Sequence, residues 1–182
     1  MTSALLIIDM QMVMQERLDA GRAHVNGEAG QNIAALAAAF RAARKPVIHI
    51  RHREADESSA LNEHAPGYRP MPCAVAWENE PVFVKSTSSA FASTELEGYL
   101  HEVGITDLVV VGAVAGFCVN TTVRAGSDLG FKMSVVKDAV LGFDLPNADL
   151  SAREIFDVTM AHLASDFAEI VETRQLVAMQ SA

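Results

Sequence analysis

Short runs of apolar, mostly β-branched residues recur along the sequence and are separated by longer alanine-rich or amphipathic stretches. The runs are continuous rather than alternating, and strands that are apolar on both faces are typical of a parallel sheet covered by helices. They lie at residues 4–8, 46–50, 82–84, 108–111, 133–136 and 168–171. We therefore predict an α/β fold whose helices lie between the strands, at residues 31–43, 94–103, 118–130 and 152–165.

Composition supports one packed domain and excludes several classes of partner. Half of the 182 residues are apolar, which is enough for a buried core without disulfides, so we expect a single domain over residues 1–182. The net charge of −9 argues against nucleic acid and anionic membranes as partners, because both are bound through basic surfaces. No apolar run approaches the ~20 residues of a membrane-spanning helix, and the N-terminus lacks the basic start of a signal peptide. We expect a cytoplasmic protein.

One long segment, residues 51–81, shows no helix or strand periodicity. It contains Pro66, Pro70, Pro72, Pro81 and an aromatic residue that favours packing, the single tryptophan. Loops of this length in compact domains are usually functional or disordered. We expect this loop to border the functional site.

Polar residues follow three of the predicted strands directly. Asp9 follows the first strand, Lys85 the third, and Cys118 comes after the turn that ends the fourth. In an open parallel sheet, ligands bind beyond the carboxyl ends of the strands. A buried Asp9 carboxylate without a cationic partner would cost several kcal/mol, and Lys85 is the expected partner. The sequence therefore predicts one site that combines an acid, an amine and a thiol.

Cys118 follows a glycine-containing turn and opens a predicted helix, where the helix dipole and free N–H groups favour a thiolate. Taken alone, an inert buried thiol is the commoner explanation, because cysteine is among the most buried residue types. The predicted proximity of Asp9 and Lys85 favours a nucleophile instead. Cys73 lies in the proline-rich loop without a nearby acid or base, and we interpret it as structural.

Three segments in order, "LLIIDMQ", "VFVKSTSSAF" and "LVVVGAVAGFCVNTTVRAGSDLGF", resemble the isochorismatase-like cysteine hydrolases, a superfamily that includes nicotinamidases and N-carbamoylsarcosine amidases. The resemblance implies a Rossmann-like α/β/α sandwich with a six-stranded parallel sheet in the order 3-2-1-4-5-6. It assigns a catalytic triad to Asp9, Lys85 and Cys118. It also implies a non-proline cis peptide at Val114–Ala115 and an oxyanion hole formed by the N–H groups of Ala115 and Cys118.

The sequence departs from nicotinamidases after the second strand. Those enzymes carry an Asp-x-His pair and a further histidine for a metal, whereas this chain reads Ile50, Arg51, His52. His49, His52 and His64 are candidate ligands, but they lack the spacing of a metal site, and arginines flank His52. We therefore predict no metal and no cofactor.

The predicted activity is hydrolysis of a C–N bond in a small amide, ureide or carbamoyl substrate, through a thioester on Cys118. Two alternatives remain open: an isochorismatase-type enol-ether hydrolase with Asp9 as the acid, and a non-catalytic redox or oligomeric module in which Cys118 is oxidised. Apolar and amphipathic residues are expected to line the pocket. The predicted substrate contacts are Gln11, Phe91, Phe117, Trp77 and Tyr68.

A long loop alone shields an acylated cysteine poorly from water, and exposed Trp and Tyr side chains are enriched at protein interfaces. We therefore expect a homo-oligomer, a dimer or larger, with a small molecule as the other partner. Neither the substrate nor the oligomer size follows from the sequence. The sequence also does not reveal whether the loop or a neighbouring subunit sets substrate specificity.

Overall fold

A computed structural model describes residues 2–180 of the chain. Its strands are β1 (Thr2–Ile8), β2 (His24–Val25), β3 (Val47–His52), β4 (Val82–Lys85), β5 (Ile105–Ala113), β6 (Lys132–Phe143) and β7 (Glu169–Val171). Its α-helices are α1 (Met12–Asp19), α2 (Ala29–Ala42), α3 (Leu96–Glu102), α4 (Asn120–Asp128), α5 (Ala152–Asp166) and α6 (Thr173–Gln180). The loops also contain three short helical turns: one π-helical turn (Ala115–Val119) and two 3-10 turns (Pro66–Tyr68 and Pro72–Ala74).

The strands form one mostly parallel sheet in the order β2-β6-β5-β1-β3-β4, with β7 beside β6. The six predicted strands are β1, β3, β4, β5, β6 and β7, and their arrangement confirms the predicted order 3-2-1-4-5-6. The difference is β2, which runs antiparallel to the last residues of β6. A two-residue strand has no periodicity, which is why the sequence does not reveal it.

Helices cover both faces of the sheet, as predicted for a three-layer sandwich. The alternation within β1 divides the core: Leu6 and Ile8 face one hydrophobic cluster, and Leu5 and Ile7 face the other. The first cluster includes residues of α3, α4 and α5, and the second includes residues of α1, α2 and α6. Among the described residues, none of the helices combines the length and apolarity that crossing a bilayer requires.

The loop between β3 and β4 is packed rather than extended. Its backbone pairs with the segment after β1, where Met12 N donates to Arg69 O at 2.7 Å and Met71 N donates to Met10 O at 2.8 Å. At the far end, the Glu80 carboxylate accepts from Arg41 Nε at 2.7 Å and from the backbone N–H of Trp77 at 2.8 Å. Burial opposes ionisation of Glu80, but these hydrogen bonds lower its pKa to about 2. The loop is therefore held at both ends.

The end of β5 brings the chain unusually close to β1. Gly112 has a φ of +123°, and a Cβ there would overlap the backbone of Ile8. The cis peptide follows directly, between Ala113 and Val114. The predicted position, Val114–Ala115, is therefore wrong by one residue, because the cis bond lies at the end of β5 rather than inside the turn that follows.

Substituting Gly112 with alanine is expected to lower the free energy of unfolding by about 3 kcal/mol or more. The methyl group would meet backbone atoms of Ile8 that cannot move without breaking the β1–β5 pairing, and the positive φ is strained for any L side chain. Gly98→Ala in α3 is the matched control, since no atom lies within 4 Å of its added Cβ. This control is expected to be neutral or to stabilise by up to about 1 kcal/mol. Equal urea midpoints for the two variants would contradict the expectation.

Candidate active site

The side chains of Asp9, Lys85 and Cys118 meet beyond the carboxyl ends of β1, β4 and β5. Lys85 Nζ lies 2.7 Å from Asp9 Oδ2 and 3.2 Å from Cys118 Sγ. The Lys85 side chain is fully buried, and that of Asp9 is 3% exposed. The structure thus brings together the acid, the amine and the thiol at the sheet edge where the sequence places them.

Asp9 follows β1 directly and has a left-handed backbone conformation, with a φ of +50°. Such a φ is uncommon for a residue other than glycine, and strained residues of this kind cluster at functional sites. Backbone hydrogen bonds fix it, because Asp9 N donates to Ile50 O at 2.9 Å and Gln11 N donates to Asp9 O at 2.8 Å. The carboxylate is therefore held rigidly at the end of the strand.

Cys118 lies in the π-helical turn between β5 and α4. This turn is wider than an α-helical one, because Val119 N donates to Val114 O at 3.4 Å and Asn120 N donates to Ala115 O. The first N–H groups of a helix have no partner within it. The predicted oxyanion donors, the N–H groups of Ala115 and Cys118, belong to this first turn. Their role stays a prediction.

His52 also contacts the Lys85 ammonium, a neighbour that sequence reasoning missed. Its Nδ1 atom lies 3.0 Å from Lys85 Nζ, and the two residues are paired in register across β3 and β4. Burial, followed by the Lys85 charge, lowers the pKa of His52, so the neutral imidazole can accept an N–H from Lys85. The sequence does hold a signal, since His52 comes shortly after the second predicted strand, residues 46–50, just as Asp9 and Lys85 follow theirs.

Burial governs the protonation of the site. It raises the pKa of Asp9 above the ordinary value for aspartate, although the Lys85 charge opposes this. Burial, and then the Asp9 charge, raise the pKa of Cys118 to about 11. Burial and the Asp9 charge therefore oppose the thiolate that the helix start favours, and they favour a neutral thiol in the resting site. Within residues 2–180, the buried Asp9 Oδ1 atom has no hydrogen-bond partner, so it is free to accept a proton.

A pocket of about 330 Å³ opens onto Asp9, His52 and Cys118. Phe117, predicted as a substrate contact, lines this pocket and is 52% exposed. The apolar part of the wall also includes Met14, Leu61, Phe143 and Leu145. A space of this size suits a small molecule rather than a peptide.

Gln11 and Tyr68 do not line this pocket, which corrects their prediction as substrate contacts. The Gln11 amide is fully buried and is used by the backbone, because Nε2 donates to His52 O and to Tyr68 O, both at 3.0 Å. Its Oε1 atom accepts from His52 N at 2.8 Å. Gln11 therefore ties the loop and β3 to the end of β1, and Tyr68 takes part through its carbonyl group.

Phe91 and Trp77 are also placed elsewhere. The Phe91 ring stacks on Phe131 with centroids 5.7 Å apart and packs against the core. Trp77 is 59% exposed, and Arg41 lies over its ring at 4.4 Å, beside a separate pocket. An aromatic residue in sequence does not reveal which cavity it faces, and neither Phe91 nor Trp77 lines the Cys118 pocket of its own chain.

Residues 3–174 match the family model described as an isochorismatase domain. The chain belongs to the isochorismatase family. Among curated relatives, the uncharacterized isochorismatase family protein YddQ of Bacillus subtilis is 33% identical over 178 residues, which cover 95% of this chain and 97% of YddQ. A solved hydrolase of the isochorismatase family from Chromobacterium violaceum superposes with a TM-score of 0.92 at 30% identity, and the match covers 99% of this chain and 94% of that chain.

The secreted isochorismatase effector Isc1 of Verticillium dahliae is 31% identical over 176 residues, which cover 96% of this isochorismatase-family chain and 90% of the fungal protein. An amidase relative matches a shorter part of the chain. Nicotinamidase 3 of Arabidopsis thaliana is 30% identical over 92 residues, which cover 50% of this chain and 42% of the plant protein. The family match establishes a hydrolase of the isochorismatase family.

The donors around Lys85 do not fit the metal site that nicotinamidases suggest. Among the described residues, the one group of potential ligands comprises Asp9, His52 and Cys118, whose ligand atoms lie within 4.8 Å of one another. The Lys85 ammonium is within 3.2 Å of an atom of each of these residues, so it already provides the positive charge beside them that a metal ion would provide. A divalent cation bound to the same atoms would be repelled by that ammonium.

We expect chelation to leave hydrolysis intact. After dialysis against EDTA, kcat/KM should stay within about twofold of the untreated enzyme, since the ammonium performs the electrostatic role that a Lewis acid would otherwise have. The assay is repeated after addition of Zn²⁺, Mn²⁺ or Fe²⁺. Activity lost to EDTA and restored by one of these ions would show that hydrolysis depends on a metal and that His52 and His64 had been misinterpreted.

Proposed function

We propose that this isochorismatase-family hydrolase is a cysteine hydrolase that cleaves the C–N bond of a small amide, ureide or carbamoyl compound. One observation carries the proposal: at the pocket, a buried ammonium contacts both the Asp9 carboxylate and the Cys118 sulfur. A nucleophile, a proton acceptor and a fixed positive charge are the groups that covalent acyl transfer requires.

In the acylation step, Cys118 Sγ bonds to the substrate carbonyl carbon while its proton passes to Asp9. The neutral resting thiol makes this transfer necessary, and the raised pKa of Asp9 makes the carboxylate a stronger base than an exposed aspartate. The tetrahedral oxyanion accepts hydrogen bonds from the N–H groups of Ala115 and Cys118. When it collapses, the C–N bond breaks, Asp9 gives the proton to the leaving nitrogen, and a thioester remains on Cys118.

In the second step, water attacks the thioester carbonyl and gives a proton to Asp9. The C–S bond breaks, the proton returns to sulfur, and a carboxylic or carbamic acid leaves. The Lys85 ammonium stays in place throughout and stabilises whichever of its two neighbours carries the negative charge. His52 accepts an N–H from Lys85, which keeps the ammonium directed at both.

The site chemistry, rather than the relatives, favours C–N hydrolysis over the enol-ether alternative, because the secreted isochorismatase effector Isc1 of Verticillium dahliae also matches 96% of this chain. Nicotinamidase 3 is an amidase by name, and its similarity to this chain is consistent with an amide substrate. The enol-ether reaction of isochorismatases needs an acid but no nucleophilic thiol. The thiol within contact of the ammonium therefore favours the amidase mechanism.

A panel of small amides, ureides and carbamoyl compounds tests the proposal. We expect ammonia release from at least one of them, and a covalent adduct on Cys118 that equals the acyl mass after acid quenching. Isochorismate is the matched alternative substrate. Pyruvate release from it, with no ammonia from the panel and no adduct, would contradict the amidase mechanism and identify the enol-ether reaction.

A further inference from the structure

Most charged groups around the active-site pocket have a direct partner of opposite charge. Asp9 pairs with Lys85 at 2.7 Å, and Arg22 Nε pairs with Asp144 Oδ1 at 2.8 Å. Arg22 also donates from Nη2 to Asp144 O at 2.6 Å, so its guanidinium is engaged on two sides. These four residues leave no net charge for a ligand.

Glu54 is the remaining acid of the pocket wall and is stabilised by solvent. Its side chain is 47% exposed, and its Oε2 atom accepts a hydrogen bond from Ser59 Oγ at 2.5 Å. Its Oε1 atom lies 3.6 Å from Nε2 of His52, whose lowered pKa favours the neutral form. Glu54 therefore does not require a cation within the pocket.

Arg17 is different, because it lines the same pocket and, among the described residues, has no carboxylate in direct contact, although the charge of Glu54 acts on it from a distance. Within residues 2–180, its guanidinium makes one hydrogen bond, from Nη1 to the thioether sulfur of Met14 at 3.7 Å. A thioether is a weak acceptor, whereas a guanidinium offers five N–H donors. The guanidinium carbon also lies 5.8 Å from the centroid of Phe143, another residue of the pocket wall. Burial, and then the neighbouring Arg22, lower the pKa of Arg17, and the Glu54 charge only partly opposes this, so an anion in direct contact with the guanidinium would relieve an unfavourable charge.

We infer that Arg17 binds a carboxylate of the substrate, so that the preferred substrates are small amides or carbamoyl compounds that carry an acid group. This inference rests on the proposed amidase function for its substrate class. A carboxylate matches the planar guanidinium with two parallel hydrogen bonds, a geometry that Lys85 cannot offer. Because Lys85 is already occupied by Asp9, His52 and Cys118, Arg17 is the cation left to recognise the substrate.

The walls of the pocket define the rest of the substrate. Leu61, Phe117, Phe143 and Leu145 lie on its wall together with Cys118 and Arg17. A short apolar spacer between the scissile carbonyl and the acid group suits such a wall. A volume of about 330 Å³ restricts the substrate to a small molecule. Malonamate, succinamate and glutaramate, which differ only in spacer length, are suitable probes.

Paired substrates test this specificity. Succinamate is compared with 4-methylpentanamide, which replaces the carboxylate by an uncharged, branched isopropyl group of similar size. We expect kcat/KM of the unmodified enzyme to favour the acid by about 10- to 100-fold, the worth of one hydrogen-bonded charge pair. Arg17→Met should remove this preference through KM, and Arg17→Lys should retain part of it. Arg153→Met on α5, an exposed arginine of equal charge, should leave the preference unchanged.

Alkylation of Cys118 provides a readout that does not need turnover. In this reaction the sulfur displaces iodide from iodoacetate or from iodoacetamide, which differ only in carrying a carboxylate or an amide. The ratio of the two rates at Cys118, measured by peptide mass spectrometry, should fall at least tenfold in Arg17→Met and stay unchanged in Arg153→Met. An unchanged ratio in Arg17→Met would overturn the inference.

The two readouts separate this inference from the proposed function. If no amide is hydrolysed but the alkylation ratio depends on Arg17, the carboxylate site stands and the amidase function falls. If amides are hydrolysed without preference for the acid, and the ratio is insensitive to Arg17, the amidase stands and the carboxylate site falls. A preference that persists in Arg17→Met would also overturn it.

Discussion

Cys118→Ala is expected to lower kcat by about 10⁴-fold or more, because it removes the atom that forms the thioester. Cys118→Ser should be nearly as damaging. A serine hydroxyl is far less acidic than a thiol, and the Asp9 carboxylate is too weak a base to activate it. Both variants should keep the native fold, since Cys118 is only half-buried and neither side chain is larger than cysteine.

The second cysteine supplies the control. Cys73 is also half-buried, and burial raises its pKa to about 11, the value that Cys118 reaches. It lies in the loop between β3 and β4 and lines a different pocket from Cys118. Cys73→Ser should therefore retain kcat in the ammonia assay, although the Cys73 thiol is half-buried like that of Cys118 and has a similarly raised pKa. Undiminished turnover in Cys118→Ala would exclude the covalent mechanism.

The sequence predicts much of this architecture because each of the six parallel strands appears in it as a continuous apolar run. The residue that follows such a run lies at the sheet edge where ligands bind. Asp9 and Lys85 are identified in this way, and His52 could have been, since it ends the β3 run. The short strand β2 and the helices α1 and α6 are not predicted, because a two-residue strand and eight-residue helices are too short to show a distinct periodic pattern.

Other properties of the site depend on three-dimensional packing that no local pattern encodes. Trp77 lies in the predicted loop but faces Arg41 and a different pocket, and Phe91 packs against the core. The protonation of Cys118 follows from burial and from the Asp9 charge, which outweigh the helix start emphasised by the sequence. Arg17 is recognised as a candidate binding residue only from the structure, which places it on the pocket wall without a carboxylate in direct contact among the described residues. The homo-oligomer and the cytoplasmic location stay predictions.

Removing either charge of the Asp9–Lys85 pair is expected to lower kcat by about 10³-fold or more. Asp9→Asn eliminates the proton acceptor while keeping the shape of the side chain. Lys85→Met keeps the stem but removes the ammonium that contacts both Asp9 and Cys118. In Lys85→Met, the main charge that opposes the effect of burial on Asp9 is removed, so the pKa of Asp9 rises further. The acidic limb of the residual kcat/KM profile should therefore shift to higher pH.

The double variant distinguishes a catalytic unit from two independent contributions. Because the two groups act on the same proton transfer, Asp9→Asn combined with Lys85→Met should lose little more activity than the worse single variant. The free energy of unfolding should be higher in the double variant than in either single variant. Each single variant leaves a buried charge unpaired, at a cost of about 3–5 kcal/mol, whereas the double variant removes both charges and should recover part of that loss. Activity losses that multiply, or urea midpoints that fall additively, would show that the two groups do not work as a pair.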